Sequence, residues 1–523
     1  MPGKKHLRAR RTELTDERIR ATEEGYSPAS AERGCETEKG GFERFLEGRA
    51  LVPILAVIVF VGHATGTELY LGTLFTVLGC LGLWVCKSIK FFIPFLLTFI
   101  YQLNLQHTPG APTWSDYYKA PHRTLWLACL AALIVISLIV YTVKNVIPRT
   151  KGEKAPLIYP LIFLSAAFIL NGVLSPEWTP ATLIFGLCEV LIYFYLFYLF
   201  YYGLEGEDTK SILDYLCYVA IFITLIIFAQ LVLLYVREGK DLLVGLGYLF
   251  SVYMCLGWGI NNPVGYSIAL MIPLLIRGAV KSRYYPVYYV TAFIAWAGTV
   301  MTLSRNAIIW ATLALGFGII VGCLYGERKK FFRASLSVVC VIAFFVLFLF
   351  YNRLYELFRQ LIMKGFSNNG RFDLWDQAVD NFKRSPIFGT GFFGFGKPEI
   401  ELAADFLPTM AHNTIFELLS AMGIVGFIAF GYYRLRSLVP LITRPSFDKL
   451  IIGMTFGITI LSSMLDNFDF YFYTMYPYMI LLAVLHRMRR LELIDKQKKR
   501  IARLDKKIAK IDKKLWDIAQ RQY

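Results

Sequence analysis

The 523-residue chain has little charge and no cysteine pattern that would build a disulfide framework. Charged residues make up 18% of the sequence, whereas hydrophobic residues make up 56%. Most of the nine cysteines lie inside apolar runs, and none forms the paired spacing of a zinc knuckle. Short alternating segments of the kind that build membrane β-barrels are also lacking. These absences exclude a disulfide-rich domain, a cysteine-based zinc domain and a membrane barrel.

A cleavable signal peptide is not visible before the first apolar run, which begins near Leu51. Residues 1–48 are charged and turn-rich and have little periodicity. This composition predicts a mostly disordered cytoplasmic extension.

The remainder of the chain up to residue 486 contains repeated runs of about 18 to 22 nearly uncharged residues, long enough to cross a bilayer core of about 30 Å. A backbone that crosses lipid must satisfy its own hydrogen bonds, so residues 49–486 are predicted to form an all-α integral membrane domain. About fourteen transmembrane helices are expected by the twenty-residue rule, at 50–67, 69–86, 88–104, 124–143, 156–173, 180–202, 213–236, 263–280, 284–302, 306–324, 334–352, 411–433, 449–465 and 470–486.

The distribution of basic residues predicts the orientation of these helices. The net charge is +17, and the segment from Arg487 to Tyr523 has 14 Lys/Arg against 5 Asp/Glu, so that 14 − 5 = +9 lies in the tail. With both termini in the cytoplasm, most predicted inner ends are basic, including the one that contains Arg434 and Arg436. Residues 353–411 then form a large outer loop between the eleventh and twelfth helices.

The basic tail, residues 487–523, has a heptad pattern of isoleucine and leucine with lysines on the other faces. Two interpretations remain open: a short coiled coil, which would make a homo-oligomer, or an amphipathic helix on the inner leaflet. Beside a membrane the expected partner of its positive charge is anionic inner-leaflet lipid, not nucleic acid. A non-catalytic scaffold that recruits partners through this tail is a further alternative.

Within the outer loop, large apolar residues recur at helical spacing: Phe372, Trp375, Val379 and Phe382. Arg371 is therefore expected in the first turn of an amphipathic helix that lies near the membrane and ends before Pro386. The alternative is an ordinary solvated arginine paired with Asp373 or Asp376.

The run Gly389-Thr390-Gly391-Phe392-Phe393-Gly394 formally matches GxGxxG. Neither a preceding strand nor a βαβ unit is predicted, so a dinucleotide site is rejected. Glycines among aromatic residues near a membrane suit the close approach of a backbone to a lipid-linked ligand, and a plain turn is the alternative.

Arg305 and His412 each stand at the outer start of an apolar run. An unpaired arginine at that depth costs about 1–3 kcal/mol, unless it reaches the headgroup phosphates. At a helix N-terminus the dipole disfavours imidazolium, so His412 would be a neutral general base or a capping histidine.

The predicted topology puts Arg305, Arg371 and His412 on one side of the membrane. Guanidinium groups bind phosphates in a bidentate manner, and a neutral histidine can deprotonate a hydroxyl. This set suits a diphosphate leaving group and a hydroxyl acceptor. No carboxylate cluster or histidine pair indicates a metal site, and no cofactor is expected.

Three motifs together resemble the O-antigen ligase and polymerase superfamily over roughly residues 242–484. They are Leu303-Ser304-Arg305-Asn306-Ala307, the run from Gly370-Arg371 through Trp375 and Pro386 to Gly389-Thr390-Gly391, and His412-Asn413-Thr414 before an apolar helix. Asn262-Pro263 at a helix start adds to the likeness, whereas the N-terminal extension and the heptad tail have no counterpart in it.

The resemblance implies a GT-C-like, metal-independent, inverting glycosyltransferase of the plasma membrane that takes part in polysaccharide biosynthesis for the cell envelope. The donor would be a polyprenyl-diphosphate-linked oligosaccharide, such as one on undecaprenyl diphosphate, and the acceptor a hydroxyl of a glycan or lipid-glycan. Arg305 and Arg371 would hold the diphosphate and His412 would activate the acceptor. Gly389, Gly391 and Asn413 would contact substrate. Asp466 and Asp469 would bind the acceptor, although helix capping is the simpler interpretation of both.

A lipid-linked glycan flippase or exporter is the main alternative from another class. A flippase would carry charged residues along a cavity within its spans. In this sequence the spans are poor in charge, and the polar residues concentrate in one outer loop.

Overall fold

The computed structural model describes residues 40–103, 121–150, 155–237, 255–365, 371–394 and 410–521. The chain divides into two compact units, residues 1–48 and 49–523. In the first unit the described residues form one short helix, α1 (Gly41–Glu47). The predicted disordered extension falls mainly on residues 1–39, which lie outside the described ranges.

The second unit is helical, and its described ranges contain no β-strand beyond an isolated bridge between Cys255 and Ile260. The first helices are α2 (Leu51–Thr65), α3 (Glu68–Val85), α4 (Phe92–Thr98), α5 (Pro121–Tyr141), α6 (Ile147–Thr150), α7 (Ile158–Leu170), α8 (Pro180–Val190), α9 (Phe197–Gly203) and α10 (Thr209–Arg237). They are followed by α11 (Asn261–Ala269), α12 (Met271–Lys281), α13 (Tyr285–Met301), α14 (Arg305–Tyr325), α15 (Lys329–Gly365), α16 (Arg371–Arg384), α17 (Thr414–Ile442), α18 (Phe447–Ser463) and α19 (Phe472–Arg521). A π-helical turn joins α5 to α6 and another joins α8 to α9.

The helical membrane class predicted from the sequence is confirmed in its coarse form. Seven helical stretches of the described residues are long and apolar enough to cross a bilayer: Glu68–Val85, Pro121–Thr150, Pro180–Gly203, Thr209–Arg237, Asn261–Lys281, Arg305–Leu324 and Thr414–Ile442. Each of the other predicted spans overlaps a helix, but several of those helices are short. The 13 residues of α7, for example, extend only about 20 Å at 1.5 Å per residue. The number fourteen and the orientation of the helices stay predictions.

The stretch Asn261–Lys281, which contains α11 and α12, forms the centre of the bundle, because every residue from 263 to 280 is buried. Gly278 permits close packing there: a Cβ at this position would lie 2.2 Å from the ring of Tyr288. The buried Arg277 is paired with Asp214 at 2.5 Å and Asp448 at 2.7 Å. The start of this central stretch is at Asn261, next to the residues of the candidate site.

Two helices extend beyond their predicted ends. The helix predicted to stop near residue 352 continues to Gly365, and the last span continues past residue 486 to Arg521 without a break. In both places the apolar run ends but the residues that follow still favour a helix, so hydropathy alone misplaces the boundary.

The helix α17 is not a single straight crossing, because it bends at Gly423, whose φ is 61° and ψ −158°. In a straight helix the 434 − 414 = 20 residues between Thr414 and Arg434 would span about 30 Å. Both side chains nevertheless bond to the carboxylate of Asp469. The two halves of α17 therefore fold back towards each other at Gly423.

This bend corrects the sequence-based location of Arg434. Counting charges along the chain put Arg434 at an inner helix end and Asp469 in an outer loop. In the structure both are buried and form an ion pair. The bend and the buried 3-10 turn Phe468–Phe470 bring the two residues together inside the bundle.

Candidate active site

A histidine and an aspartate that are 54 residues apart in the sequence form the centre of the candidate site. Nδ1 of His412 lies 3.0 Å from Oδ1 of Asp466. The side chain of Asp466 is only 4% exposed, whereas that of His412 is 39% exposed. The protein therefore fixes the carboxylate in its interior and presents the imidazole at the surface.

A chain of hydrogen bonds extends from Asp466 into the bundle. Oδ2 of Asp466 accepts from Nδ2 of Asn262 at 3.2 Å, and Oδ1 of Asn262 accepts from Oγ of Ser304 at 2.8 Å. Asn262 lies in the first turn of α11, and Ser304 is the N-cap of α14, where its Oγ also accepts the amide of Ala307. The starts of α11, α14 and α17 are thus joined through one carboxylate in the loop after α18.

Asn413 fixes the same loop from the other side. Its Oδ1 accepts the amides of Ile415 at 2.9 Å and Phe416 at 3.3 Å, so it caps α17. Its Nδ2 donates to the carbonyl of Met464 at 2.8 Å. Asn413 was predicted to contact substrate. In the structure both polar atoms of its side chain are hydrogen-bonded within the protein, and they hold the segment that carries His412 in place.

Two of the four described non-glycine residues with positive φ lie at this site. His412 has φ 52° and Leu303, directly before the Ser304 cap, has φ 55°. Such conformations cost about 1–3 kcal/mol each and persist where the surrounding structure enforces them. The backbone is therefore constrained at the predicted base itself and two residues before Arg305.

Arg371 is brought to the site by α16. The indole of Trp375, one turn further along this helix, donates to the carbonyl of Ala411 at 2.9 Å. The same ring stacks on Phe416 with centroids 5.1 Å apart. These contacts dock the first turn of α16 beside the residue that precedes His412.

Arg305 is the first residue of α14, directly after the Ser304 cap. Its charge interacts with that of Arg371, and Arg371 in turn interacts with Asp466. In the described residues no ion pair joins Arg371 to Asp373 or Asp376. Arg371 is thus within electrostatic range of Asp466, and Arg305 is within electrostatic range of Arg371.

The surroundings of Asp466 favour its ionised form. Burial alone would raise its pKa, but hydrogen bonding and charge from His412, the amide of Asn467 and the charge of Arg371 together lower the pKa below its usual value. An ionised carboxylate only accepts hydrogen bonds, so the Nδ1 of His412 is the donor. In the neutral form of the ring this leaves the lone pair on Nε2, away from Asp466, which is the arrangement of a general base.

Gly389 and Gly391 have φ of 70° and 92°, and the amide of each is hydrogen-bonded to a backbone carbonyl of the protein. The amide of Gly389 donates to the carbonyl of Ser385, and that of Gly391 donates to the carbonyl of Ala421 in α17. A Cβ on Gly389 would lie 2.3 Å from the carbonyl carbon of Ala421. These glycines let the loop after α16 approach the bend of α17. Because their amides are already hydrogen-bonded within the protein, the predicted contact of Gly389 and Gly391 with substrate gains no support.

Two buried acids complete the support of the site: Glu417, which the sequence did not single out, and Asp469, which was expected to cap a helix or to bind the acceptor. Glu417 accepts the amide of Ala411 at 2.8 Å and the side chain of Asn467 at 3.4 Å through Oε2. Asp469 bonds to Thr414 at 3.3 Å and pairs with Arg434. The only sequence signal for either residue was a carboxylate in or beside an apolar helix.

The fold and the site together define a polytopic helical membrane protein that carries a histidine–carboxylate pair and two arginines where several helices begin. Residues 290–431 match the sequence model of the O-antigen ligase family. This segment includes Arg305, Arg371 and His412, and it confirms the family resemblance drawn from the motifs. Asn262 and Asp466 lie outside the matched segment. Comparison with curated proteins gives no match.

Within the described ranges no group of three or more His, Cys, Asp or Glu side chains could hold a metal ion. Arg371 and Arg305 bring two positive charges to this part of the chain, and the acids Glu417 and Asp469 are buried beneath it. The chemistry of the site is therefore suited to an anionic or phosphate-bearing ligand.

Proposed function

We propose that the protein is a plasma-membrane glycosyltransferase that moves glycan from a polyprenyl-diphosphate-linked donor to a hydroxyl acceptor at the outer face. The observation that carries this proposal is the hydrogen bond between the partly exposed His412 and the buried Asp466, whose charge interacts with that of Arg371 and, through it, with Arg305. The family match of the segment containing these three basic residues supports the same reaction class.

In the proposed step, Nε2 of His412 takes the proton of the acceptor hydroxyl as that oxygen attacks the anomeric carbon. The new carbon–oxygen bond forms while the bond from the anomeric carbon to the diphosphate oxygen breaks. The electron pair leaves with the polyprenyl diphosphate, and the proton on His412 passes to water. A single displacement of this kind inverts the anomeric configuration.

Arg305 and Arg371 have the role of binding and neutralising the diphosphate as it leaves. Placed charges of this type contribute about 10²–10³-fold each, compared with about 10²–10⁴-fold for a general base. Arginines also supply this charge without a divalent ion, so we expect the reaction to proceed in the presence of EDTA.

A second function is favoured by one observation. Glu189 is fully buried in α8, and neither of its carboxylate oxygens has a hydrogen-bond partner among the described residues. Buried ionisable groups within a membrane bundle are expected of a transporter. A lipid-linked glycan flippase is therefore the candidate that the experiment must separate from the enzyme.

The test uses the purified full chain in liposomes with fluorescent lipid-linked oligosaccharide, an acceptor panel and EDTA. Wild type is compared with Arg305→Ala, Arg371→Ala and His412→Ala, each checked for folding by thermal unfolding. Transfer by wild type and its loss in the folded variants support the proposal, and the acceptor consumed distinguishes a ligase from a polymerase. Movement of the labelled lipid between leaflets without transfer, unchanged in the His412 variant, would favour the flippase.

A further inference from the structure

The last helix continues out of the membrane-spanning bundle into the tail. The 50 residues of α19 extend about 75 Å, whereas a bilayer core of about 30 Å accounts for roughly 20 of them. Its side chains are buried around residues 478–485, whereas residues 496–518 are exposed throughout. Nearly half of the helix is therefore exposed in the described part of the chain.

This exposed part has a narrow apolar stripe. With Ile494 at heptad position a, the large aliphatic residues of 497–521 fall only at a or d: Ile501, Leu504, Ile508, Ile511, Leu515 and Ile518. Each is between 49% and 58% exposed. A row of aliphatic residues confined to a and d is the seam of a coiled coil; the other large apolar side chain of this segment, Trp516, lies at position b and is 58% exposed.

The charges beside the stripe are complementary in one arrangement of two copies. Arg500 and Lys507 occupy g positions, and Asp505 and Asp512 occupy the e positions five residues later. In a parallel, in-register pair, g of one copy meets the following e of the other, so Arg500 faces Asp505 and Lys507 faces Asp512. An antiparallel pair would instead bring the basic g positions, which include Lys514, against one another.

The continuity of α19 argues against a helix that lies on the inner leaflet. To lie on the surface, the tail would need a break where it leaves the bundle. The helix is uninterrupted from Phe472 to Arg521, and its one internal proline, Pro477, is near its start. Insertion of two copies in the same orientation also directs both tails to the same side, and confinement to a membrane raises their effective concentration.

We propose that residues 497–521 form a parallel, in-register coiled coil with the same segment of a second copy of this chain. This interaction surface is independent of the proposed glycan transfer. Each copy contributes its stripe to a shared apolar core, and the g-to-e pairs set the orientation and the register.

The first experiment is disulfide trapping of the full chain in vesicles at a low protein-to-lipid ratio. Ile508→Cys puts a thiol in the core, whereas the matched Lys506→Cys puts one at position f, away from it. Wild type gives the background from the nine natural cysteines. We expect about tenfold more cross-linked dimer for Ile508→Cys than for Lys506→Cys. Equal yields at the two positions, or a yield at the wild-type level, would overturn the proposal.

The second experiment tests orientation by charge reversal. Every variant carries Ile508→Cys, so the apolar core is the same in all of them and only the charges differ. Lys507→Glu would face Asp512 of the second copy and should lower the dimer yield about fivefold. Adding Asp512→Lys should restore the yield, because the opposite charges meet again with reversed signs. Absence of rescue excludes the parallel register. A bimane label on the thiol introduced by Ile508→Cys that is quenched by headgroup nitroxides in anionic vesicles, without cross-linking, would show that lipid covers the stripe instead.

Discussion

Replacement of Asp466 by asparagine removes a negative charge with almost no change in side-chain size. The carboxylate accepts hydrogen bonds from Nδ1 of His412, Nδ2 of Asn262 and the amide of Asn467. An asparagine amide offers one acceptor oxygen, so its NH₂ group must face one of these donors. If it faces His412, the ring must take the tautomer with its proton on Nε2, and the base loses its lone pair on the exposed side.

The expected size of the effect follows from the role of the base. General-base catalysis contributes about 10²–10⁴-fold, which corresponds to about 3–5 kcal/mol. We therefore expect kcat/KM of Asp466→Asn to fall by about 10²–10⁴-fold, and that of His412→Ala by a similar factor. The double variant should be no slower than the slower single variant, because both changes remove the same function.

Initial rates of transfer from labelled lipid-linked oligosaccharide in liposomes would measure these values. Asp380→Asn is the matched control, since Asp380 is an exposed carboxylate of α16 that pairs only with Lys383 among the described residues. The reasoning is refuted if folded Asp466→Asn retains activity within about threefold of wild type. It is equally refuted if the loss in the double variant is the product of the two single losses.

The same contacts lead to three further predictions. Arg371→Ala should lower kcat/KM for transfer by about 10²–10³-fold, whereas Arg384→Ala, at the other end of α16, should leave the rate of the same assay nearly unchanged. Gly423→Ala should lower the thermal midpoint in detergent, because a Cβ there would lie 2.5 Å from the carbonyl carbon of the neighbouring loop at a φ of 61°; Gly431→Ala in the same helix, with open space around it, should not. The lowered pKa of Asp466 means that its ionised form stabilises the fold at pH values above the unfolded-state pKa of about 4, and that this stabilisation is lost as the pH falls through the lower folded-state value. Thermal midpoints measured between about pH 7 and pH 3 should therefore converge for wild type and Asp466→Asn only at the acidic end, and a constant difference would contradict the assignment.

The helix starts at the site could be predicted from the sequence because their signals are local. Ser304 and Asn413 are capping residue types directly before apolar runs, and the spacing of large apolar residues after Arg371 predicted α16. The membrane class followed from hydropathy alone.

The remaining features depend on tertiary contacts that leave no local signal. Gly423 stands inside an uninterrupted apolar run, so neither the bend nor the burial of Arg434 could be inferred from charge counting. Asp466 was expected to contact substrate or to cap a helix, and its bond to His412 is visible only when the loops after α18 and before α17 meet. The roles first given to Gly389 and Gly391 assumed a ligand where the structure has the backbone of α17.

The left-handed backbone of His412 has a consequence for any saturation library at this position. Two separate demands fall on one residue: an imidazole for the chemistry and tolerance of a φ of 52° for the fold. Asparagine and glycine accept that conformation readily and β-branched residues do not. Expression-level selection should therefore enrich Asn and Gly beside His, and selection for product should retain His alone. Comparison of the two enrichment profiles would separate the backbone requirement from the chemical one without a purified protein.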